Sequence, residues 1–239
     1  MKQLEILKQN DKESVGAEAG EYLNRLLLEN IKRPVLLMLS GGSALNMLEF
    51  VGQTSLGEKL TVSMLDERFS QDPAINNFHQ MQKHDFYNIA LESDVSFFGT
   101  IPRAEDTMQT MAQRWEKNLR NWKTENPDGL IVATLGLGTD GHMAGIFPEA
   151  DEQKFNELYN SNSWIIAHNV GEKNQYPDRV TATLTFLKLV DVAYAYVCGA
   201  EKKPAFEKLI KKQGKVHELP ALAWYDIKKV TVFTDLVIT

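Results

Sequence analysis

Apolar residues gather in seven short runs: PVLLMLS (34–40), KLTVSMLD (59–66), SDVSFFG (93–99), GLIVATLG (129–136), SWIIAHNV (163–170), VDVAYAYVCG (190–199) and KKVTVFTD (228–235). None alternates strictly with polar residues, so each predicts a strand buried on both faces. Between them the apolar spacing becomes helical. Val15, Ala19, Tyr22, Leu23, Leu26 and Leu27 mark a helix over 11–30, and Met108, Met111, Ala112, Trp115, Leu119 and Trp122 mark another over 104–123. A third, rich in lysine, covers 201–213. The methionine and tryptophan stripe reads as core packing rather than a cofactor box. Strands separated by helices predict an α/β fold, a mostly parallel sheet with helices on both faces. In such sheets ligands bind beyond the carboxyl ends of the strands.

Composition narrows the function. The chain has 239 residues and no Gly/Ser/Pro-rich linker, which predicts one domain spanning 1–239. Net charge is −6 with no dense basic tract. No nucleic-acid partner is therefore expected, although a few local cations could still hold a small anion. Cys198 is the only cysteine, which excludes an internal disulfide and any multi-cysteine zinc site. It reads as a buried small hydrophobe. The opening segment MKQLEILKQNDKES has no signal-peptide core, and no run reaches the roughly 20 apolar residues of a membrane span. The expectation is a cytoplasmic protein, a monomer or weak homo-oligomer, with no membrane partner.

Suggestive residues cluster where strands should end. After PVLLML comes SGGSALNML (40–48), where Gly41 and Gly42 allow a sharp turn and Ser43 sits at the N-cap or first turn of a helical pattern. That geometry suits phosphate, although plain capping explains it equally. No Gly-Lys-Ser/Thr follows, and neither Ser40 nor Ser43 lies in G-x-S-x-G, so neither a Walker A loop nor a hydrolase elbow fits. After KLTVSML comes Asp66-Glu67-Arg68, where Arg68 could clamp a phosphate or a carbonyl with Asp66 or Glu67 orienting it. Asn76 and Asn77 offer a turn or cap beyond it, while His79 and His84, five apart, suit no helical metal pair.

The loop LGLGTDGHMAGIFP (135–148) follows the fourth run. Gly136, Gly138 and Gly141 satisfy G-x-G-x-x-G, but Pro148 would truncate the required helix and the next strand ends without an immediate acid. His142 instead stands among small neighbours with Asp140 two residues before it. Imidazole suits proton transfer near neutrality, and Asp140 could hold its tautomer or stabilise the protonated form. One His and one Asp do not make a metal ligand set, so no metal is expected. Arg179 opens RVTATLTFL, and Lys202 starts a helix just beyond the strand end VCGAEKK, within reach of an anion in the same crevice.

The ordered set SGGS, DER, GLGTDGH-x-A-x-x-FP, RVT and G-x-x-K, closed by LPALAWYD at 219–226, resembles the 6-phosphogluconolactonases. These sit in a wider sugar-phosphate family that also holds glucosamine-6-phosphate deaminases. The resemblance implies a Rossmann-like fold of the NagB/RpiA/CoA transferase-like type. It implies hydrolysis of 6-phospho-D-glucono-1,5-lactone, in the oxidative pentose phosphate pathway, without metal, nucleotide cofactor or covalent intermediate. His142 would be the general base, Arg68 or backbone N–H groups would stabilise the oxyanion, and Gly42, Ser43, Arg179 and Lys202, beside Gly41, would hold the phosphate. Two alternatives are a deaminase and a non-catalytic sugar-phosphate sensor. The deaminases carry a ring-opening glutamate where this chain has Phe147, and an aromatic residue where it has Arg68. A sensor would be expected to carry a basic helix-turn-helix segment. Milder departures from the lactonase pattern are Ala44-Leu45 after Ser43, Thr139 at an often acidic position, Met143 for Thr and Gly145 for Ser. They leave His142 in place.

Overall fold

The computed structural model describes residues 3–237. In chain order its strands and α-helices are β1 (Glu5–Lys8), α1 (Lys12–Glu29), β2 (Val35–Leu39), β3 (Leu60–Met64), β4 (Asp66–Arg68), α2 (Asn77–Met81), α3 (Asp85–Glu92) and β5 (Ser96–Phe98). They continue with α4 (Met108–Glu125), β6 (Leu130–Gly136), α5 (Glu152–Tyr159), β7 (Ile165–Asn169), β8 (Asp178–Ala182), α6 (Leu184–Leu187), β9 (Val192–Val197), α7 (Lys203–Ile210) and β10 (Lys229–Thr234). Local chemistry sets several of the boundaries. Asp11 caps α1 by accepting from the Ser14 amide at 2.8 Å, and Thr107 with Thr110 forms a capping box at α4. Each cap stabilises its helix by about 1 kcal/mol.

Seven strands form one sheet in the order β1-β10-β9-β6-β2-β3-β5, every neighbouring pair parallel. β2 and β3 are buried at every position, as a sheet covered on both faces requires. α1 packs on β9 and β10, and α4 packs on β7 and β8. Met111, Trp115, Leu119 and Trp122 of α4 are buried, each contributing about 2 kcal/mol or more by leaving water. A continuous hydrophobic cluster runs from Leu4 to Leu236. No helix of the described residues is long and apolar enough to cross a membrane.

One expected strand lies elsewhere. The run at 163–170 forms β7, but β7 belongs to a separate three-stranded antiparallel sheet, in the order β4-β8-β7. β4 and β8 had no strand signature, being short and charged where they begin. They pair because the DER segment turns out of the main sheet directly after β3 and meets the Arg179 segment in register.

β2 and β6 are neighbours, and the chain leaves them in opposite directions, β2 toward β3 and β5, β6 toward β9 and β10. That reversal opens a crevice beyond their carboxyl ends. SGGS follows β2 and GTDGH follows β6, so the topology alone brings these two segments together.

Candidate active site

The crevice holds a cavity of about 300 Å³ lined by Gly41, Gly42, Ser43, Asp66, Arg68, His142, Arg179 and Lys202, among others. Four strand ends supply most of them, β2 the glycine loop, β3 the DER segment, β6 the histidine and β9 the lysine, and β8 of the small sheet supplies Arg179. Asp140 stands behind His142 rather than in the wall. A second cavity, about 640 Å³, shares Ser43 and Lys202 with the first.

The loop after β6 builds the histidine. No helix follows Gly141 before α5, so the G-x-G-x-x-G spacing is not a dinucleotide turn. The His142 ring lies directly against Gly138, where a Cβ atom would come within 2.1 Å of Nδ1. Only glycine admits that approach. Asp140 Oδ1 meets His142 Nδ1 at 2.6 Å and also accepts the His142 amide at 3.0 Å. Burial works to raise the Asp140 carboxyl, but the hydrogen bond and charge of His142 outweigh it and hold the group below the usual carboxylate range. An ionised carboxylate only accepts, so Nδ1 carries the proton and Nε2 is left as the acceptor nitrogen. Phe147 stacks on the imidazole, ring centroids 4.5 Å apart at 19°.

The loop after β2 turns at Gly42, with φ of +65°, and enters a 3₁₀ segment over Gly42–Phe50 capped at Gly41. Ser43 is thus a first-turn residue. Ser40 spends its hydroxyl on the Thr134 carbonyl at 2.8 Å, knitting the ends of β2 and β6.

The cations are arranged differently from the sequence expectation. Asp66 does not orient Arg68; its Oδ2 lies 3.4 Å from Nη1 of Arg179. Arg179 is buried, and it also donates through Nε to the Tyr176 carbonyl at 3.0 Å and through Nη2 to Asn174 Oδ1 at 3.1 Å. Burial lowers the Arg179 pKa, with Asp66 opposing the shift. Glu67 does not orient the Arg68 guanidinium either. It is fully buried, accepting the Arg68 and Asn77 amides on Oε1 and the Phe78 amide and Thr100 hydroxyl on Oε2. Burial pushes its carboxyl up to about 8 against the pull of those four donors. It pins β4 to the start of α2. The correction has a simple cause: successive strand residues face opposite ways, so Glu67 points away from the cavity that Asp66 and Arg68 line.

Arg68 itself lies over the Tyr176 ring at 5.3 Å and donates through Nη1 to the Ile75 carbonyl at 3.1 Å, while its Nε has no protein partner. Lys202 stands at the N-cap position of α7 without a capping hydrogen bond, and burial lowers its pKa. Asn76 caps α2 as expected, accepting the His79 amide at 2.9 Å. Neither His79 nor His84 lines the cavity. Cys198 is buried, and burial raises its thiol pKa.

Asn77 and Asn174 line the cavity without having been singled out for it, and Tyr176 stands behind Arg68. Asn77 was legible only as a helix start. Asn174 and Tyr176 lie in a polar loop whose position becomes evident only once β8 pairs with β4.

Residues 10–233 match the model of a family described as glucosamine-6-phosphate isomerases/6-phosphogluconolactonase. The chain is 22% identical to a probable 6-phosphogluconolactonase of Dictyostelium discoideum, over 88% of this chain and 89% of that protein. It is 25% identical to a 6-phosphogluconolactonase of Helicobacter pylori, over 88% and 86%. The fold is similar to a crystal structure of a 6-phosphogluconolactonase from Shewanella baltica, with TM-score 0.76, 19% identity and coverage of 98% and 97%. It is similar also to the 6-phosphogluconolactonase from Trypanosoma brucei, with TM-score 0.75, 17% identity and the same coverage. With nearly its whole length inside the family model, the chain belongs to the glucosamine-6-phosphate isomerase/6-phosphogluconolactonase family.

Proposed function

We propose that the chain hydrolyses 6-phospho-D-glucono-1,5-lactone to 6-phospho-D-gluconate. The observation that carries this reading is the imidazole of His142, backed by Asp140 at 2.6 Å and lining a cavity walled also by Arg68 and Lys202. The names of the relatives point the same way.

In this mechanism His142 Nε2 takes a proton from water as the oxygen attacks the lactone carbonyl, and Asp140 stabilises the imidazolium that forms. General-base assistance of this kind contributes about 10²–10⁴-fold. Arg68 or backbone N–H groups stabilise the tetrahedral oxyanion. Collapse breaks the ring C–O bond, and the departing ring oxygen recovers the proton from His142. Ser43, the Gly41–Gly42 turn and Lys202 hold the phosphate, which positions the ring through remote binding. Arg179 lines the same cavity and adds to the hold on the phosphate, since its contacts with Tyr176, Asp66 and Asn174 use one N–H on each nitrogen and leave two of the five donors.

Phe147 bears on the deaminase alternative. Where that chemistry needs a ring-opening glutamate, this chain stacks a buried phenyl ring on the general base.

The test is a coupled assay on fresh lactone with 6-phosphogluconate dehydrogenase, corrected for spontaneous hydrolysis. The wild-type rate should exceed the blank, and His142→Ala should lose about 100-fold or more in kcat with a smaller change in KM. A wild-type rate equal to the blank would sink the lactonase reading. An undiminished His142→Ala rate would remove His142 from the mechanism, and ammonia release from glucosamine 6-phosphate would favour a deaminase.

A further inference from the structure

The turn that follows His142 is gripped from behind by the small antiparallel sheet. Register across β4, β8 and β7 puts Arg68, Arg179 and His168 in one row, and Asp66, Thr181 and Ile166 in a second row on the same side. Two side chains from these rows reach Gly145. Thr181 Oγ1 accepts its amide at 3.0 Å, and His168 Nε2 meets its carbonyl at 3.0 Å. A carbonyl oxygen only accepts, so Nε2 carries the His168 ring proton. Nδ1 is then the acceptor, facing the Tyr159 hydroxyl at 3.4 Å, and the Tyr159 oxygen lies 3.5 Å from the Phe147 amide. A Cβ atom on Gly145 would lie 2.7 Å from Thr181 Cβ, so the fit tolerates only glycine.

The turn held in this way is not relaxed. Ala144 has φ of +48°, in the left-handed region that a non-glycine residue occupies only when its surroundings impose it. Ala144 lines the cavity, and Phe147, at the end of the turn, stacks on the imidazole of His142. His168 itself does not line that cavity. It borders another, of about 370 Å³, on the far side of Phe147.

We propose that His168 is a positioning residue for His142: with Nδ1 seated on the Tyr159 hydroxyl, its Nε2–H holds Gly145 and through it the turn on which the His142 ring rests. Nε2 donates to Gly145 in either protonation state, whereas only the neutral ring can accept from Tyr159 at Nδ1. Burial lowers the pKa of His168 to about 4; the Gly145 carbonyl opposes this, and the charges of Arg179 from β8 and Lys173 from the 171–173 turn add to it. Tyr159 faces it from α5, and Glu149 and Lys154 border the same cavity. Burial raises the Tyr159 pKa, so that hydroxyl stays protonated.

The kinetic test rests on the lactonase reading; a spectroscopic one does not. His168→Leu, its folding verified by thermal melting, should lower kcat about 10-fold or more while KM stays within about threefold. His168→Gln, whose amide offers an N–H near the position of Nε2 and does not titrate, should recover most of that loss. A folded Leu variant with wild-type kcat, or a Gln variant as impaired as Leu, would overturn the role. Histidine-detected NMR of the wild type should show His168 as the Nε2–H tautomer at neutral pH, with Tyr159→Phe shifting the His142 ring resonances. The other tautomer, or His142 resonances unmoved by Tyr159→Phe, would equally overturn it. Those spectra need no substrate, so they decide the point even if the wild type hydrolyses no lactone, and they need no folded Leu variant.

Discussion

Arg179 is buried beside the cavity, and among the described residues Asp66 is the carboxylate that pairs with it. Removing one partner of a buried pair strands the other in a medium that solvates it poorly. Asp66→Asn should therefore destabilise the fold by about 3 kcal/mol, the lower end for a broken buried pair, because Asn174 and the Tyr176 carbonyl remain. Urea denaturation would measure it, and an unchanged midpoint would mean that the Asn174 and Tyr176 contacts suffice. Much of the site was legible at this scale. Asp66, Arg68, His142 and Lys202 stand out because strand ends gather them, Arg179 as the opening of RVTATLTFL, and all five line the cavity. Their partners were not legible. Sequence adjacency suggested Asp66 or Glu67 for Arg68, whereas strand alternation turns Glu67 away and Arg179, diagonal to Asp66 across β4 and β8, claims Asp66.

Among the elements, β7 behaves least as its sequence suggests. Its run, SWIIAHNV, is as apolar as those of the main sheet, and apolarity says nothing about which sheet a strand joins. β4 and β8 gave no strand signal because three charged residues, and five that open with Asp-Arg, carry no periodic pattern long enough to read. The central strands β2, β3, β6 and β9 were legible because burial on both faces leaves runs dominated by apolar residues, with Thr61, Ser63 and Thr134 as buried exceptions. His168 gives β7 a measurable acid sensitivity. Its pKa is about 4 when folded, below the ordinary histidine value of 6.5, so above pH 6.5 the ring is neutral in both states and its contribution is complete. As pH falls from 6.5 through about 4 the unfolded chain binds a proton that the folded chain refuses, and stability is lost. At about 1.4 kcal/mol per pKa unit the loss is roughly 3 kcal/mol over that window. Urea midpoints of wild type should therefore decline more steeply between pH 6.5 and 4 than those of His168→Gln. Parallel declines would assign the acid sensitivity to other groups.

For the molecule as a whole, the site is a product of topology. An acidic chain, net charge −6, gathers Arg68, Arg179 and Lys202 at the place where its parallel sheet reverses strand order. The same topology carries a kinetic consequence. β1 is the first strand in chain order, yet among the described residues it pairs only with β10, matching Ile6 to Val232 across nearly the whole chain. Closing so long a loop costs entropy that few contacts repay until the rest of the sheet exists. β1 should therefore dock after the rate-limiting barrier. Ile6→Ala, removing a partly buried contact, should accelerate unfolding in a stopped-flow chevron while leaving the refolding limb nearly unmoved. A slowed refolding limb would place β1 in the nucleus instead. On this view β1 waits for the rest of the sheet before taking its place, and an edge of β10 stays open to pairing with other chains until it docks.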